Sequence, residues 1–508
     1  MARSLSTAPD SASTARTVAS TAIPATISGN RVVTKRPNGR SSEASSSIAR
    51  VRVVPVVTHP TLLPLVALPV WPVPPGPDAH LGALPPTLGK VTIAALPTGL
   101  GVRTRPLDDP GRLLDLLPDD RNPLSWVRAA DGLVGWGEVA RITVAGPDRF
   151  AEADAWWSSF TERLDVHDEV GAPGSGPVAF ASFTFADDSP GSVLVVPRVL
   201  VARRDGVAWI TEFSHGDGPS AVRAVSPVRP SGTLRFADGR LPVAGYRRAV
   251  AEAVRRMRAG ELDKAAIAHD LLAVGDAPLD ARFLLGGLAE RYPTCWSYSV
   301  DGLVGATPEM LVRRTAGTVS SRVLAGTIWP GESDDLPGQL LGSAKDRHEH
   351  ALAVDSLAAA LRPLCTELTV PQTPSVIALP NVSHLASDVH GTLDPQAPTS
   401  LLQLAAAVHP TAAVGGTPRD AAVALIAELE GMDRGRYAGP VGWVDGNGDG
   451  ELGIALRCAQ LDGPVARLFA GCGIVADSDP DTEVREAAAK MVPIRDALED
   501  ADIPPARA

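Results

Sequence analysis

The chain has 508 residues, 44% hydrophobic and 21% charged, which suits one large soluble domain or two to three ordinary ones. A net charge of -11 argues against nucleic acid as the main partner, and no apolar run approaches the roughly 18 residues that a membrane span needs. The four cysteines (Cys295, Cys365, Cys458 and Cys472) are scattered with no CxxC pair, and read as reduced thiols of a cytoplasmic protein.

In chain order, the first segment is unlike the rest. Residues 1–60 hold eight Lys/Arg against Asp10 and Glu43, so +6, which leaves -17 on the remainder. The segment is rich in Ser, Thr and Ala without apolar periodicity and cannot bury a core, so residues 1–90 are expected to be a disordered extension. It superficially looks like an organellar transit peptide, but a start assigned too far upstream is the preferred reading. Residues 62–77 are apolar but broken by prolines. One folded domain is expected over 91–500.

Within it, residues 124–144, 178–185 and 192–213 alternate apolar and polar residues between Gly/Asp turns, the pattern of strands. Tyr246, Ala249, Val250, Ala253, Val254 and Met257 recur at helical spacing, which predicts a helix over 246–259 with Gly260 at its C-terminal cap. Residues 261–274 read as a strand with Lys264 near its start. Further helices are expected at 345–362, 417–430 and 480–498. For the second, Thr417 is the expected N-cap, Pro418 the first helical residue and Gly431 the terminator. For the third, Ser478 or Asp479 should cap, and Pro493 should kink or shorten the last turns. Strands come first, then both types mix without a βαβ rhythm, which predicts α+β architecture with antiparallel sheets.

Several motifs invite chemistry. Residues 445–452, DGNGDGEL, start like a calcium loop, but the required terminal acid falls on Leu456, so a hairpin turn is expected. His348 and His350 stand two apart on a helix and face different ways, so zinc is not expected; Glu349 between them can face inward with Leu352 and Ser356. AGCGI (470–474) reads as a glycine turn that binds an anion. LAGT (324–327) and VGGTP (414–418) read as similar turns, the second opening a helix whose N-terminus favours a carboxylate. Lys264 in its Ala/Ile run is either a solvated edge lysine or a base in apolar surroundings. Glu483, Glu486 and Lys490 share one face of the last helix, where a solvated Glu486–Lys490 pair is the plain reading.

Together these segments, with GATPEML, KDRHEHALAVD, HLASDVHGTL, HPTAAVGGTPRDAA, RGRYAGPVGWVDGNGDGE and IALRCAQL, resemble the chorismate-binding, anthranilate synthase component I-like enzymes. The resemblance runs from about 240 to 498, more weakly from about 95. HPTAAVGGTP and Lys264 resemble the isochorismate synthases among them, of the kind that feed menaquinone or siderophore pathways. The resemblance implies a single chorismate-binding domain with two antiparallel sheets packed between helices and the substrate between the sheets. It implies Mg2+ held by Glu349 and Glu486, and cations Arg457 and Lys490 for the substrate carboxylates. Gly326, Thr327, Ala413 and Gly471 would supply backbone or hydroxyl contacts, and His384 would orient the substrate or the leaving hydroxyl. The implied reaction adds water at C2 of chorismate and expels the C4 hydroxyl, with Lys264 as base and Glu309 as acid on opposite sides of the ring.

His269 departs from the pattern, since family members often carry Arg there. Salicylate synthases, which go on to eliminate pyruvate, share Lys264 and both metal ligands and are the nearest alternative. Ala325 argues against an aminodeoxychorismate synthase, and Lys264 against an anthranilate synthase. A non-catalytic chorismate-binding protein would be expected to lack some of Lys264, Glu309, Glu349 and Glu486, and all four are present. The expected partner is chorismate alone, with no nucleic acid, no membrane and a monomeric chain.

Overall fold

The alternation of apolar and polar residues produces long antiparallel strands, with most helices supplied by the second half of the chain. The computed structural model describes residues 99–119, 121–214, 224–328, 335–378 and 382–499. The expectations for residues 1–90 lie outside the described residues.

The first half comprises β1 (Gly101–Leu107), β2 (Leu124–Arg128), β3 (Asp131–Val144), α1 (Arg149–Thr161), β4 (Asp165–Asp168), β5 (Val178–Ser182), β6 (Ser192–Arg204), β7 (Val207–Ser214) and β8 (Leu234–Asp238). Next come α2 (Val243–Arg258), β9 (Lys264–Gly275), α3 (Ala281–Arg291), β10 (Trp296–Val300), β11 (Leu303–Thr307), β12 (Met310–Thr315) and β13 (Thr318–Ile328). Helices α4 (Leu336–Gly342) and α5 (Ala344–Leu361) precede β14 (Cys365–Thr369), β15 (Ser375–Ala378), β16 (Ser383–Leu393) and α6 (Leu401–Val408). The chain closes with β17 (Gly416–Thr417), α7 (Arg419–Glu430), β18 (Pro440–Asp445), β19 (Gly450–Ile454), β20 (Cys458–Asp462), β21 (Val465–Ile474) and α8 (Pro480–Glu499).

The α+β class is as expected. Among the described residues the strands form one hydrogen-bonded network with two arms that diverge at β6. One arm runs from β6 through β3, β2, β10, β11, β20 and β21 to β9. The other runs through β5, β18, β19, β12 and β13 to β16. All these pairings are antiparallel, and only β1–β4 is parallel. A large apolar core that includes Trp126, Phe180, Tyr298 and Trp443 fills the space within the network. No helix among the described residues is long and apolar enough to cross a membrane.

The helical stripe expected on α2 is buried at all six positions, and Gly260 takes the left-handed conformation just past its end. Three expectations need correction. Thr417 does not cap α7: it bridges to Lys264 in β17, and Pro418 stands at the N-cap with no side-chain cap bond. AGCGI and LAGT are not turns but strand segments, because neighbouring strands claim their backbone groups. Pro493 does not shorten α8, which continues to Glu499 with that proline buried. Gly431 ends α7 in the left-handed conformation, Asp479 caps α8 by accepting from Thr482 N–H, and DGNGDGEL is the hairpin between β18 and β19.

Candidate active site

The free ends of the two arms face each other. A cleft lies between β9/β21 and β13/β16, and Glu349 of α5 with Glu486 and Lys490 of α8 also line it. Apolar walls with a few convergent polar groups suit a small-molecule ligand. Ten of the residues expected from sequence line this cleft: Glu309, Gly326, Thr327, Glu349, His384, Ala413, Arg457, Gly471, Glu486 and Lys490. Lys264 stands one layer behind. It is completely buried at the start of β9, with Nζ 3.1 Å from Glu349 Oε1.

Backbone shape presents several of these groups. Gly326 takes φ +77° at a bulge in the β13–β16 ladder, where Thr327 pairs with His384. A Cβ there would also meet the Asp346 Cβ at 3.0 Å, so both conformation and space call for glycine. Ser343 caps α5 by accepting from Asp346 N–H, and the helix then turns Glu349 and His350 inward while His348 stays exposed. His350 contacts Ser387 Oγ at 2.8 Å and the Ala325 carbonyl at 3.3 Å, and burial pushes its pKa down to about 4. It is therefore a neutral tie between α5 and the second arm, not half of a zinc pair.

Glu309 is buried, and its Oε1 accepts from Leu324 N–H at 3.2 Å. Burial raises its pKa to about 7, although Leu324 N–H and the cations Lys264, Lys490 and Arg457 pull the other way. It is a carboxyl poised to hold or give a proton near neutrality. His384 is also buried, and burial first, then Arg457 and Lys490, pushes it down to about 3. The neutral ring is fixed by its neighbours: Nδ1 lies 3.3 Å from the Gly326 carbonyl and 3.2 Å from Thr327 Oγ1, and Arg457 Nη2 donates to Nε2 at 3.3 Å.

Arg457 has left-handed backbone (φ +50°) and is nearly buried, and its Nη1 has no hydrogen-bond partner. A buried guanidinium with a free face suits a carboxylate of a bound ligand. Lys490 Nζ is 2.6 Å from Glu486 Oε1 and donates to the Gly471 carbonyl at 3.1 Å. The pair is thus partly buried in the cleft wall instead of lying on a solvated helix face.

The acidic groups suit a hard divalent cation. Glu349 and Glu486 come from separate helices into one cleft, and each carboxylate is paired there with a lysine through Oε1. Glu483 shares the helical face of Glu486 and Lys490, as expected, but was not expected as a site residue. It lies in a close group with Glu486 and Cys472, and Lys345 pairs with it at 3.0 Å. Burial keeps the Cys472 thiol protonated, with its Sγ donating to the Glu483 carbonyl, so oxygen is the available donor type. Sequence also missed Arg434, Tyr437 and Phe469, which line the cleft; the last two rings stack at 5.0 Å.

Gly473 faces this group. A Cβ there would come 2.1 Å from Glu349 Oε1 and 2.9 Å from Lys264 Cε. Gly473→Ala is therefore expected to displace both side chains and cost about 100-fold in turnover, with much less effect on thermal unfolding. Steady-state kinetics beside a melting curve checks this, and an active variant would mean that the two side chains move aside freely.

Comparison with known proteins agrees with this architecture. The family model described as chorismate binding enzyme matches residues 121–499. "Isochorismate synthase DhbC" of Bacillus subtilis is 40% identical over 262 residues, covering 48% of this chain and 65% of that protein. "Salicylate biosynthesis isochorismate synthase" of Pseudomonas aeruginosa is 39% identical over 439 residues, covering 77% of this chain and 88% of that protein. The solved structure of MenF, the menaquinone-specific isochorismate synthase from Escherichia coli, superposes with a TM-score of 0.66 over 79% of this chain and 95% of its own; at 24% identity it supports the fold alone. With the family match spanning nearly every described element, from the hairpin of β2 and β3 to the end of α8, the chain belongs to the chorismate binding enzymes.

Proposed function

We propose that the protein is an isochorismate synthase, an isomerase that interconverts chorismate and isochorismate with Mg2+. The observation that carries this reading is Glu309: a buried carboxyl raised to about 7, in a cleft that also holds the open guanidinium of Arg457. The names of the relatives support the same reading.

Chorismate is a dianion, and Arg457 and Lys490 would bind its carboxylates. Glu349 and Glu486 would hold Mg2+, which when bound supplies positive charge for the ring carboxylate. Lys264, from the β9 side, takes the proton of the water that adds at C2. Protonated Glu309, from the opposite arm, donates to the departing C4 hydroxyl. The neutral His384, held by Gly326 and Arg457, cannot offer a second charge and orients the hydroxyl through hydrogen bonding. All four cysteines are unpaired, which suits the reducing cytoplasm, and the reading needs only one chain.

The test incubates the full chain with chorismate and Mg2+, with and without ammonium, and separates products by chromatography with mass detection. An equal-mass isomer that forms reversibly without ammonium, and that disappears when a chelator removes the metal, is expected. Salicylate plus pyruvate would move the reading to a salicylate synthase. An amino product would overturn the role of Lys264, and bound but unconverted chorismate would overturn catalysis.

A further inference from the structure

The β9 strand has an incomplete outer edge. On one side it pairs continuously with β21. On the other, β17 covers Lys264 and Ala265, and β8 covers Leu271 to Gly275. Among the described residues no strand covers 266–268 on that side, yet Ala266 and Ala268 line the cleft and lie on the same strand just after Lys264. Buried backbone groups there need partners.

Two side chains provide most of them. Arg434 Nη2 donates to the Ala266 carbonyl at 2.6 Å, and Glu430 Oε1 accepts from Ala268 N–H at 2.7 Å. The Gly415 carbonyl takes Ala266 N–H at 2.7 Å. The guanidinium and carboxylate thus occupy the places of a donor and an acceptor on a missing strand. They also hold each other, through Nε to Oε2 at 2.9 Å and Nη2 to Oε1 at 2.5 Å. A further branch, Nη1, donates to the Val414 carbonyl at 3.0 Å, beside the cleft residue Ala413. Phe185 lies 4.2 Å beneath the guanidinium and closes it off. Both charged residues are almost fully buried.

We propose that Arg434, with Glu430, is a positioning residue: it locks the Ala266–Ala268 stretch of β9 to the Val414 turn, and thereby sets where Lys264 and Ala413 stand relative to the substrate. Unlike Arg457, Arg434 has each guanidinium nitrogen engaged by the protein, so it acts through the walls of the cleft and not on the ligand. Such a group tunes geometry, where a displacement of about 1 Å can cost on the order of 100-fold in rate.

This inference rests on the isochorismate synthase reading, and the wild-type enzyme in the same assay separates the two. A wild type without turnover sinks that reading; an active wild type matched by the variant sinks this one. Removing Arg434 alone would strand a buried carboxylate, so the variant is the neutral double, Glu430→Gln with Arg434→Met. The expected result is a folded protein by circular dichroism, kcat lower by about 100-fold, and KM for chorismate and the Mg2+ dissociation constant near wild type. Wild-type kcat would show a purely structural pair and overturn the proposal. A raised KM at wild-type kcat would overturn it as well, because Arg434 would then contact the substrate. If the double variant does not fold, Arg434→Lys keeps the charge but not the fork, and the same two criteria apply to it.

Discussion

Glu309→Gln is expected to lower turnover by about 10²- to 10⁴-fold, the range for loss of a general acid, without disrupting the fold. The amide keeps the shape and can still accept from Leu324 N–H, but it has no proton to give to the leaving hydroxyl. The pH profile provides a second readout. As an acid, Glu309 must be protonated, so wild-type turnover of chorismate should fall as pH rises through about 7. The stability effect has the same sign. Burial raises the carboxyl in the folded state above its ordinary value of about 4.5, so the folded protein holds the proton more tightly than the unfolded chain. That contribution is complete below about 4.5 and is lost as pH climbs through about 7. Relative to the glutamine variant, the wild type should lose up to about 3 kcal/mol over that window. Melting curves of both proteins from pH 4 to 8 measure it. A glutamine variant with substantial activity would remove Glu309 from the acid role.

Lys264→Met is expected to have an effect of similar size, about 10²- to 10⁴-fold for loss of the base. Its distinguishing consequence concerns the metal. Lys264 Nζ faces Glu349 Oε1 at 3.1 Å, so in the free protein the amine occupies a place beside that carboxylate that a cation would take. Removing it leaves Glu349 without that partner. Calorimetric titration with Mg2+ should therefore show tighter binding in the inactive variant, since the cation no longer has to displace the amine. Weaker Mg2+ binding, with turnover lost in parallel, would instead make Lys264 a support for the metal residues. An active variant would end its assignment as base.

The long apolar stripes were legible in the chain because periodicity alone sets them. Each position of the α2 stripe from Tyr246 to Met257 is buried, and the alternating residues of 124–144 and 192–213 form the strands on which the two arms diverge. The small-residue segments misled for an equally plain reason. AGCGI and LAGT have little apolar side chain to show a period, and glycine serves a turn as well as a strand that another group approaches closely. Only the partner strands decide between the two, and those lie far away in sequence: β9 for Gly471, β16 for Gly326.

The same division runs through the site. The residue types and their order around Lys264, Glu309, Glu349, His384, Arg457 and Glu486 carry the resemblance to the family and name ten of the residues that line the cleft. What those residues do to one another depends on burial, which local sequence does not encode. Glu430 and Arg434 look like an ordinary exposed i,i+4 pair until α7 packs against β9 and removes their water. Glu486 and Lys490 look the same until α8 packs on β21 beside the cleft. Sequence by itself determined the α+β class, the strand and helix periods and the family. Tertiary structure alone decided that Lys264 stands behind Glu349, that Glu309 holds its proton near neutrality and that two side chains complete the edge of β9, because each follows from which groups lose water together when distant segments meet.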